Sequence, residues 1–184
     1  MTVIYSVSMN KGGVAKTTLA TNLAAVIAKE NPQSRVLLVD MDGQGNSAIS
    51  FGLVPSEFKT TMHDVLTGQA TIEQAVIQLE DNLYIAPSND DMNFFEIDVL
   101  TNLSTYPEPQ LLLREPIRQA SSAFDFIVID TPPALGLVAA NVLSIEDNRV
   151  LIPFCPEVFG IQGLLRVIKE VRNFKASKNP TLEI

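Results

Sequence analysis

Residues 9–18 read "MNKGGVAKTT" and decide the fold. The largely apolar residues 3–9 precede this stretch, and residues 19–29, "LATNLAAVIAK", follow it with the apolar spacing of a helix. A strand, a glycine-containing loop and a helix in this order are the setting of a phosphate-binding loop. Successive backbone N–H groups and the helix N-terminus then surround an anion. We therefore predict a phosphate site in this stretch.

The loop departs from the usual pattern G-x-x-x-x-G-K-[ST]. Asn10 and Ala15 stand where that pattern has glycines, whereas Lys16 and Thr17 keep its final pair. We predict that the Lys16 ammonium bridges the β- and γ-phosphates and that the Thr17 hydroxyl binds Mg²⁺. Lys11 is an additional lysine at the start of the loop. The predicted nucleotide-binding residues are Lys11, Gly12, Gly13, Val14, Ala15, Lys16, Thr17 and Thr18.

Length and composition favour one ordinary globular domain. The chain has 184 residues, 46% of them apolar, and a net charge of −8, which argues against a chain-wide affinity for nucleic acid. Its single cysteine, Cys155, excludes an internal disulfide and a cysteine-based metal site, and we expect it to be a small apolar residue beside Phe154. Apolar runs are far shorter than the roughly 20 residues of a membrane span, so we expect a cytoplasmic protein without membrane contact.

Strand-like and helix-like patterns alternate along the chain. The predicted strands are residues 3–9, 35–40, 82–87, 125–130 and 149–154, and the predicted helices are residues 17–30, 61–67, 71–80, 92–100, 108–122, 136–145 and 158–175. Such alternation predicts an α/β fold with a mostly parallel twisted sheet and helices on both faces. Right-handed crossovers would place the loops 10–17, 40–47 and 130–136 on one edge of this sheet.

Three carboxylates follow predicted strands on that edge. Asp40 and Asp42 are two residues apart after the second strand, and each could hold Mg²⁺ through water or orient an attacking water. Asp130 ends a buried strand, where an unpaired carboxylate is costly and a divalent ion would offset that cost. We predict Thr17, Asp40 and Asp130 as the magnesium site, and the loop after Asp130 as a switch segment.

Four stretches, "KGGVAKTT", "VLLVDMDGQGN", "FDFIVIDTPPALGL" and "VLIPFCPEVFGIQGL", occur in order over nearly all of the chain. Together they resemble the ParA/Soj group of P-loop ATPases with a deviant Walker A motif, which partition plasmids and chromosomes. The resemblance implies that Lys11 is the signature lysine and Asp42 the residue that governs hydrolysis. It implies Lys11, Lys16 and Asp42 as the catalytic set, Asp40 as a companion carboxylate and Asp130 as the Walker B aspartate.

The resemblance also implies cofactors and partners. We expect ATP and Mg²⁺, an ATP-dependent homodimer in which Lys11 contacts the partner's nucleotide, and a ParB-like centromere-binding protein. Non-specific DNA would bind the full-length form and place the ATP-bound protein on the nucleoid. Arg166, Lys169, Arg172, Lys175 and Lys178 form a predicted basic stripe on a helix, opposite an apolar face.

Three departures from the family pattern qualify these expectations. Ala15 replaces a commoner glycine, so we expect slow hydrolysis, and Gly43 replaces a common proline, which should loosen the first switch. Family members continue beyond residue 184, so we expect residues 1–184 to be a single ATPase domain that lacks the family's C-terminal portion. The alternatives are a MinD-like cell-division ATPase and an adaptor that binds nucleotide without hydrolysing it.

Overall fold

The computed structural model describes residues 2–154, 156 and 158–184. The strands are β1 Val3–Val7, β2 Val36–Asp40, β3 Ile77–Gln78, β4 Leu83–Ala86, β5 Phe126–Asp130 and β6 Asn148–Leu151. The α-helices are α1 Lys16–Glu30, α2 Asn46–Ile49, α3 Met62–Leu66, α4 Ile72–Ala75, α5 Phe95–Leu100, α6 Arg114–Ala120, α7 Leu137–Leu143 and α8 Val158–Ser177. Short 3₁₀ helices are formed by Pro55–Glu57, Asp90–Phe94 and Pro109–Leu111.

The six strands form one sheet in the order β3-β4-β2-β5-β1-β6. All neighbouring pairs are parallel except β3 and β4, which are antiparallel. Every residue of β2 is buried, as expected for a parallel strand that is covered on both faces. The predicted fold class is therefore confirmed.

Helices cover both faces of the sheet. On one face Ala20, Ala24 and Ala28 of α1 belong to the same buried cluster as Val36 and Leu38 of β2. Their spacing of four residues puts three small side chains on one side of the helix, which lets α1 lie close to the sheet. The alternate residues of β2 and β5 pack on the opposite face with side chains from α3 to α7. The sheet is thus a central layer with a separate core on each side.

Two predicted helices are shorter than the sequence pattern indicated. Thr71 and Gln74 form a capping box at the start of helix α4, which ends at Ala75. The prediction of helix over residues 71–80 is wrong beyond that point, because Val76 is extended and β3 pairs with β4 at the edge of the sheet. The predicted helix 108–122 divides into Pro109–Leu111 and α6, and Pro116 lies in the first turn of α6, where proline is tolerated.

Two short helical segments lie outside the longer predicted helices. The short helix expected near residues 92–100 is present as Asp90–Phe94 followed by α5. The sequence pattern did not predict α2, which has only 4 residues. Cys155 lies outside the described residues. Within the described residues, each helix is too short or too polar to cross a membrane.

Candidate functional site

The three polar loops meet at the carboxyl edge of the sheet. Strand β5 lies between β1 and β2, and Asp130 at its end is aligned with Val7 on one side and Asp40 on the other. The predicted convergence of residues 10–17, 40–47 and 130–136 is therefore confirmed by the strand register. Edges of this kind bind ligands in open α/β sheets.

The loop after β1 leaves its backbone accessible. A Cβ built on Gly12 or Gly13 would have no atom within 4 Å, and Gly13 has a φ of +70°. Ala15 has a φ of 62°, a left-handed conformation that costs a non-glycine residue about 1–2 kcal/mol. This conformation gives a physical reason why glycine is common at this position. Val14 points inward and packs with residues of α8, so only its backbone faces the loop.

Lys16 begins helix α1, and only 7% of it is exposed. Its ammonium donates a hydrogen bond of 3.2 Å to the carbonyl oxygen of Lys11. Burial lowers the pKa of Lys16, and the nearby charges of Asp130 and Asp42 act in the opposite direction. The Lys16 ammonium therefore lies near two carboxylates at the edge of the sheet, where a bound phosphate could replace the Lys11 carbonyl as its partner.

Asp130 is fully buried at the end of β5. Its Oδ2 accepts a 3.0 Å hydrogen bond from Ser47 Oγ, and the Thr17 side chain also bonds to this carboxylate. Its Oδ1 has no hydrogen-bond partner among the described residues. Burial raises the pKa of Asp130, and the bonds from Thr17 and Ser47 oppose that shift. An unpartnered carboxylate oxygen beside a hydroxyl is the arrangement that a hydrated divalent cation would satisfy.

Asp40 is buried and holds the loop that follows it. Its two oxygens accept hydrogen bonds from the N–H groups of Asp42 and Ser47, at 3.0 and 3.2 Å. The pKa of Asp40 is raised to about 8, chiefly by burial and also by the charges of Asp130 and Asp42, while the two backbone bonds act in the opposite direction. Asp40 therefore fixes the conformation of residues 40–47 through both oxygens, and its contact with magnesium stays a prediction.

Asp42 is partly exposed and lies nearer to the open side of the edge than Asp40. Its Oδ1 accepts a hydrogen bond of 3.1 Å from the N–H of Gln44. Among the described residues no group of three or more His, Cys, Asp or Glu side chains is arranged to hold a metal. A cation at Asp130 and Thr17 would therefore need further ligands from water and from a bound phosphate, which is how Mg²⁺ commonly binds.

Two contacts of this site were not predicted from the sequence. Ser47 bonds to Asp130, and Asn10 donates a 3.1 Å hydrogen bond through Nδ2 to the carbonyl oxygen of Pro133. Asn10 Oδ1 in turn accepts a 3.3 Å bond from Arg166 of α8. Ser47 follows "DMDGQGN" directly, and that proximity was the only signal for it. The Asn10 contacts join segments more than 120 residues apart, so no local sequence pattern could indicate them.

The basic stripe lies on α8 and contacts the phosphate loop through Arg166, whereas His63 lies between α3 and α5. All five basic side chains of the stripe are exposed, and Val167 and Val171 on the opposite side of α8 are buried, as predicted. Only 12% of the His63 side chain is exposed, and its Nε2 lies 3.0 Å from Asp98 of α5. This contact joins α3 to α5.

Fold and site together define a P-loop NTPase of the deviant Walker A class. The family model described as "AAA domain" matches residues 1–184. A ParA family protein of Mycoplasma pneumoniae is 33% identical over 98% of this chain and 68% of its own length. The chain belongs to the ParA family.

Solved structures agree with this assignment. A cobyrinic acid a,c-diamide synthase from Mycobacterium smegmatis, with bound ATP analogue and magnesium, has a TM-score of 0.89 and 28% identity, over 100% of this chain and 72% of that one. A putative plasmid partition protein from Borrelia burgdorferi B31, bound to AMPPNP, has a TM-score of 0.79 and 28% identity, over 95% and 71%. Because their names describe different activities, the function of this chain has to be argued from its own site.

Proposed function

We propose that the chain binds and hydrolyses ATP with Mg²⁺ and acts as a partition ATPase whose dimerisation depends on bound ATP. The observation that carries the proposal is the edge cluster: buried Lys16 beside Asp42 and Asp130, with one oxygen of Asp130 unpartnered. A cation, a hydroxyl and an unsatisfied carboxylate oxygen are what a magnesium–phosphate complex requires.

The phosphate loop would bind the nucleotide through backbone N–H groups and one charge. The open approach to Gly12 and Gly13 would let the phosphates contact the chain closely. Lys16 would exchange its bond to the Lys11 carbonyl for the β- and γ-phosphates. Two solved structures similar to this chain hold an ATP analogue, one of them with magnesium, which supports ATP and Mg²⁺ as the ligands.

The metal would lie between Thr17 and Asp130. Thr17 would bind Mg²⁺ directly through its hydroxyl, and Asp130 would bind it directly or through water. Asp40, the third predicted ligand, would act chiefly by holding residues 40–47 in place through both oxygens, and it would reach the ion through a lone pair that these bonds leave. When bound, Mg²⁺ would neutralise charge that develops on the transferred phosphoryl group.

Asp42 would orient the water that attacks the γ-phosphate. It is the most exposed of the three carboxylates, and Asp40 fixes its backbone by accepting its N–H group. A carboxylate in this position can accept a proton from the attacking water or hold that water in line with the γ-phosphate. The strained conformation of Ala15 precedes Lys16 directly, and we expect it to contribute to slow hydrolysis.

Dimerisation and partition follow from the family resemblance. Lys11 would reach the nucleotide of a second copy and stabilise charge in the transition state. Two copies would then associate only while the γ-phosphate is present. A ParB-like protein would be the partner, and the exposed basic stripe would contribute weak, salt-dependent contacts to DNA on the nucleoid.

The test combines nucleotide binding with turnover. Lys16→Ala should weaken ATP binding about a hundredfold or more, because charge-assisted bonds to two phosphates are lost. Asp42→Ala should bind ATP normally and turn over at background rate. Lys29→Ala is the matched control, because Lys29 is exposed in the last turn of the same helix. Unchanged ATP affinity in Lys16→Ala would refute the site, and binding without turnover in the unmutated chain would favour the non-hydrolysing adaptor.

A further inference from the structure

The segment that precedes and begins helix α5 contacts two of the three loops at the edge. Residues 90–96, here called the bridging segment, comprise the 3₁₀ helix Asp90–Phe94 and the first turn of α5. On one side, a Cβ built on Gly43 would lie 2.6 Å from Oδ1 of Asn93. Asn93 therefore packs directly against the loop 40–47.

Glu96 contacts the other loop. Its Oε1 accepts a hydrogen bond from the N–H of Leu137, the first residue of α7. The residue before this helix is Gly136, which has no side chain to cap it, so Glu96 supplies the acceptor from a distant part of the chain. A Cβ on Gly136 would overlap the same carboxylate. Glu96 therefore fixes the point at which the loop 130–136 enters α7.

The base of the bridging segment is anchored in the core. Met92 and Phe95 are buried, with 4% and 0% of their surface exposed. Asp98 ties α5 to α3 through His63 at 3.0 Å. Inward side chains thus alternate with Asn93 and Glu96, which point to the loops. A segment anchored in this way, with one contact to each loop, is placed to carry a displacement from one loop to the other.

We propose that the bridging segment couples the loops 40–47 and 130–136, with Asn93 and Glu96 as positioning residues at its two contacts. The inference deepens the proposed function, since it assigns the means by which the Asp42 loop and the Asp130 loop respond together to nucleotide. The coupling itself is a property of the nucleotide-free chain. Coupling is reciprocal, so loosening either contact loosens the other loop.

Amide hydrogen exchange without nucleotide tests the coupling separately from the ATPase activity. Glu96→Ala should speed exchange at Leu137 by roughly three- to tenfold, the range for loss of one hydrogen bond. Exchange should also rise at residues 42–47, which Glu96 does not touch. Asn93→Ala should raise exchange at Leu137 by the reciprocal route. Leu100→Ala, an exposed residue at the end of the same helix, is the control, and exchange in both loops should stay unchanged.

Gly136→Ala breaks the same contact without changing Glu96, because its methyl group displaces the carboxylate. The backbone φ of Gly136 is −106°, which any residue adopts, so this variant folds without strain. The double variant Glu96→Ala/Gly136→Ala should show the same exchange rates as either single variant, because all three lose the same contact between Glu96 and Leu137. Glu96→Gln keeps an acceptor and should restore slow exchange.

With ATP, Glu96→Ala should lower kcat and leave KM unchanged, and Glu96→Gln should recover kcat. Faster exchange confined to residues 136–138, with 42–47 unchanged in both Glu96→Ala and Gly136→Ala, would overturn the proposal. That result would leave the ATP site itself untouched. Loss of ATP binding in the unmutated chain would instead refute the proposed function and leave the exchange result standing.

Discussion

Replacing Asp130 by asparagine should stabilise the nucleotide-free protein while it impairs magnesium–nucleotide binding. Asp130 is fully buried, its Oδ1 has no partner among the described residues, and burial raises its pKa. A site built to bind a cation carries such a cost when the cation is absent. Asparagine keeps an oxygen for the Ser47 hydroxyl and removes the buried charge.

The magnitude follows from the buried charge. Asparagine leaves an amide group in place of the unpartnered oxygen, so only the cost of burying the carboxylate charge is removed. We expect a gain of about 1–2 kcal/mol, within the range of stabilising changes at sites selected for function. For a chain of this size that gain corresponds to a rise of roughly 2–8 °C in Tm. Because a raised folded-state pKa means that ionisation destabilises the fold, the gain should disappear in acid and reach its full size once the pH exceeds the raised pKa of Asp130.

Thermal unfolding with and without ATP and Mg²⁺ measures both effects. The unmutated protein should gain Tm when the ligands are added, whereas Asp130→Asn should start higher and gain little. Asp125→Asn is the matched control, because Asp125 lies just before the same strand and accepts a 2.8 Å bond from the Arg35 N–H. A lower Tm for nucleotide-free Asp130→Asn, or an undiminished ligand shift, would refute the assignment of Asp130.

Three further predictions concern other parts of the molecule. Ala15→Gly should relieve the strain of the left-handed backbone and raise the free energy of unfolding by up to about 1 kcal/mol in urea denaturation. A lower free energy of unfolding would show that Ala15 is not strained. Asp40 holds its proton to about pH 8, so its contribution to nucleotide-free stability should fall as pH rises from about 4 to 8. Asp40→Asn should flatten that slope in EDTA, and an unchanged slope would argue against a buried, protonated Asp40. In a filter-binding assay, Lys169→Glu/Arg172→Glu should lower the affinity for DNA and make that affinity less dependent on salt, whereas Lys29→Glu should change neither. Affinity that does not vary with salt concentration would exclude the stripe as the DNA contact.

The sequence predicted the parts of the site that depend on local pattern. The buried strands ending at Asp40 and Asp130 carry contiguous apolar runs, and residues 10–18 carry the glycine and lysine pattern of a phosphate loop. Both the sheet and the shared edge could therefore be inferred. The partners of those residues could not. Ser47 comes from a helix of 4 residues, too short for a periodic signal, and Glu96 meets Leu137 across 41 positions.

The same limit explains the errors in secondary structure. Residues 77–78 continue a helical apolar pattern, but they pair with β4 because that strand would otherwise leave an open edge. Pairing of this kind depends on where the chain returns in space, which spacing along one segment does not contain. The sequence indicated a short helix near residues 92–100, but it gave no sign that the bridging segment contacts two loops from distant parts of the chain.

The central claim is that nucleotide at this edge switches the chain between monomer and dimer. Sedimentation velocity of Asp42→Ala, which should bind ATP without hydrolysing it, tests this most directly. With Mg²⁺ we predict a dimer in ATP and a monomer in ADP, and a monomer in both for Lys11→Ala/Asp42→Ala. The same species in ATP and ADP, while calorimetry shows both nucleotides bound, would contradict the switch.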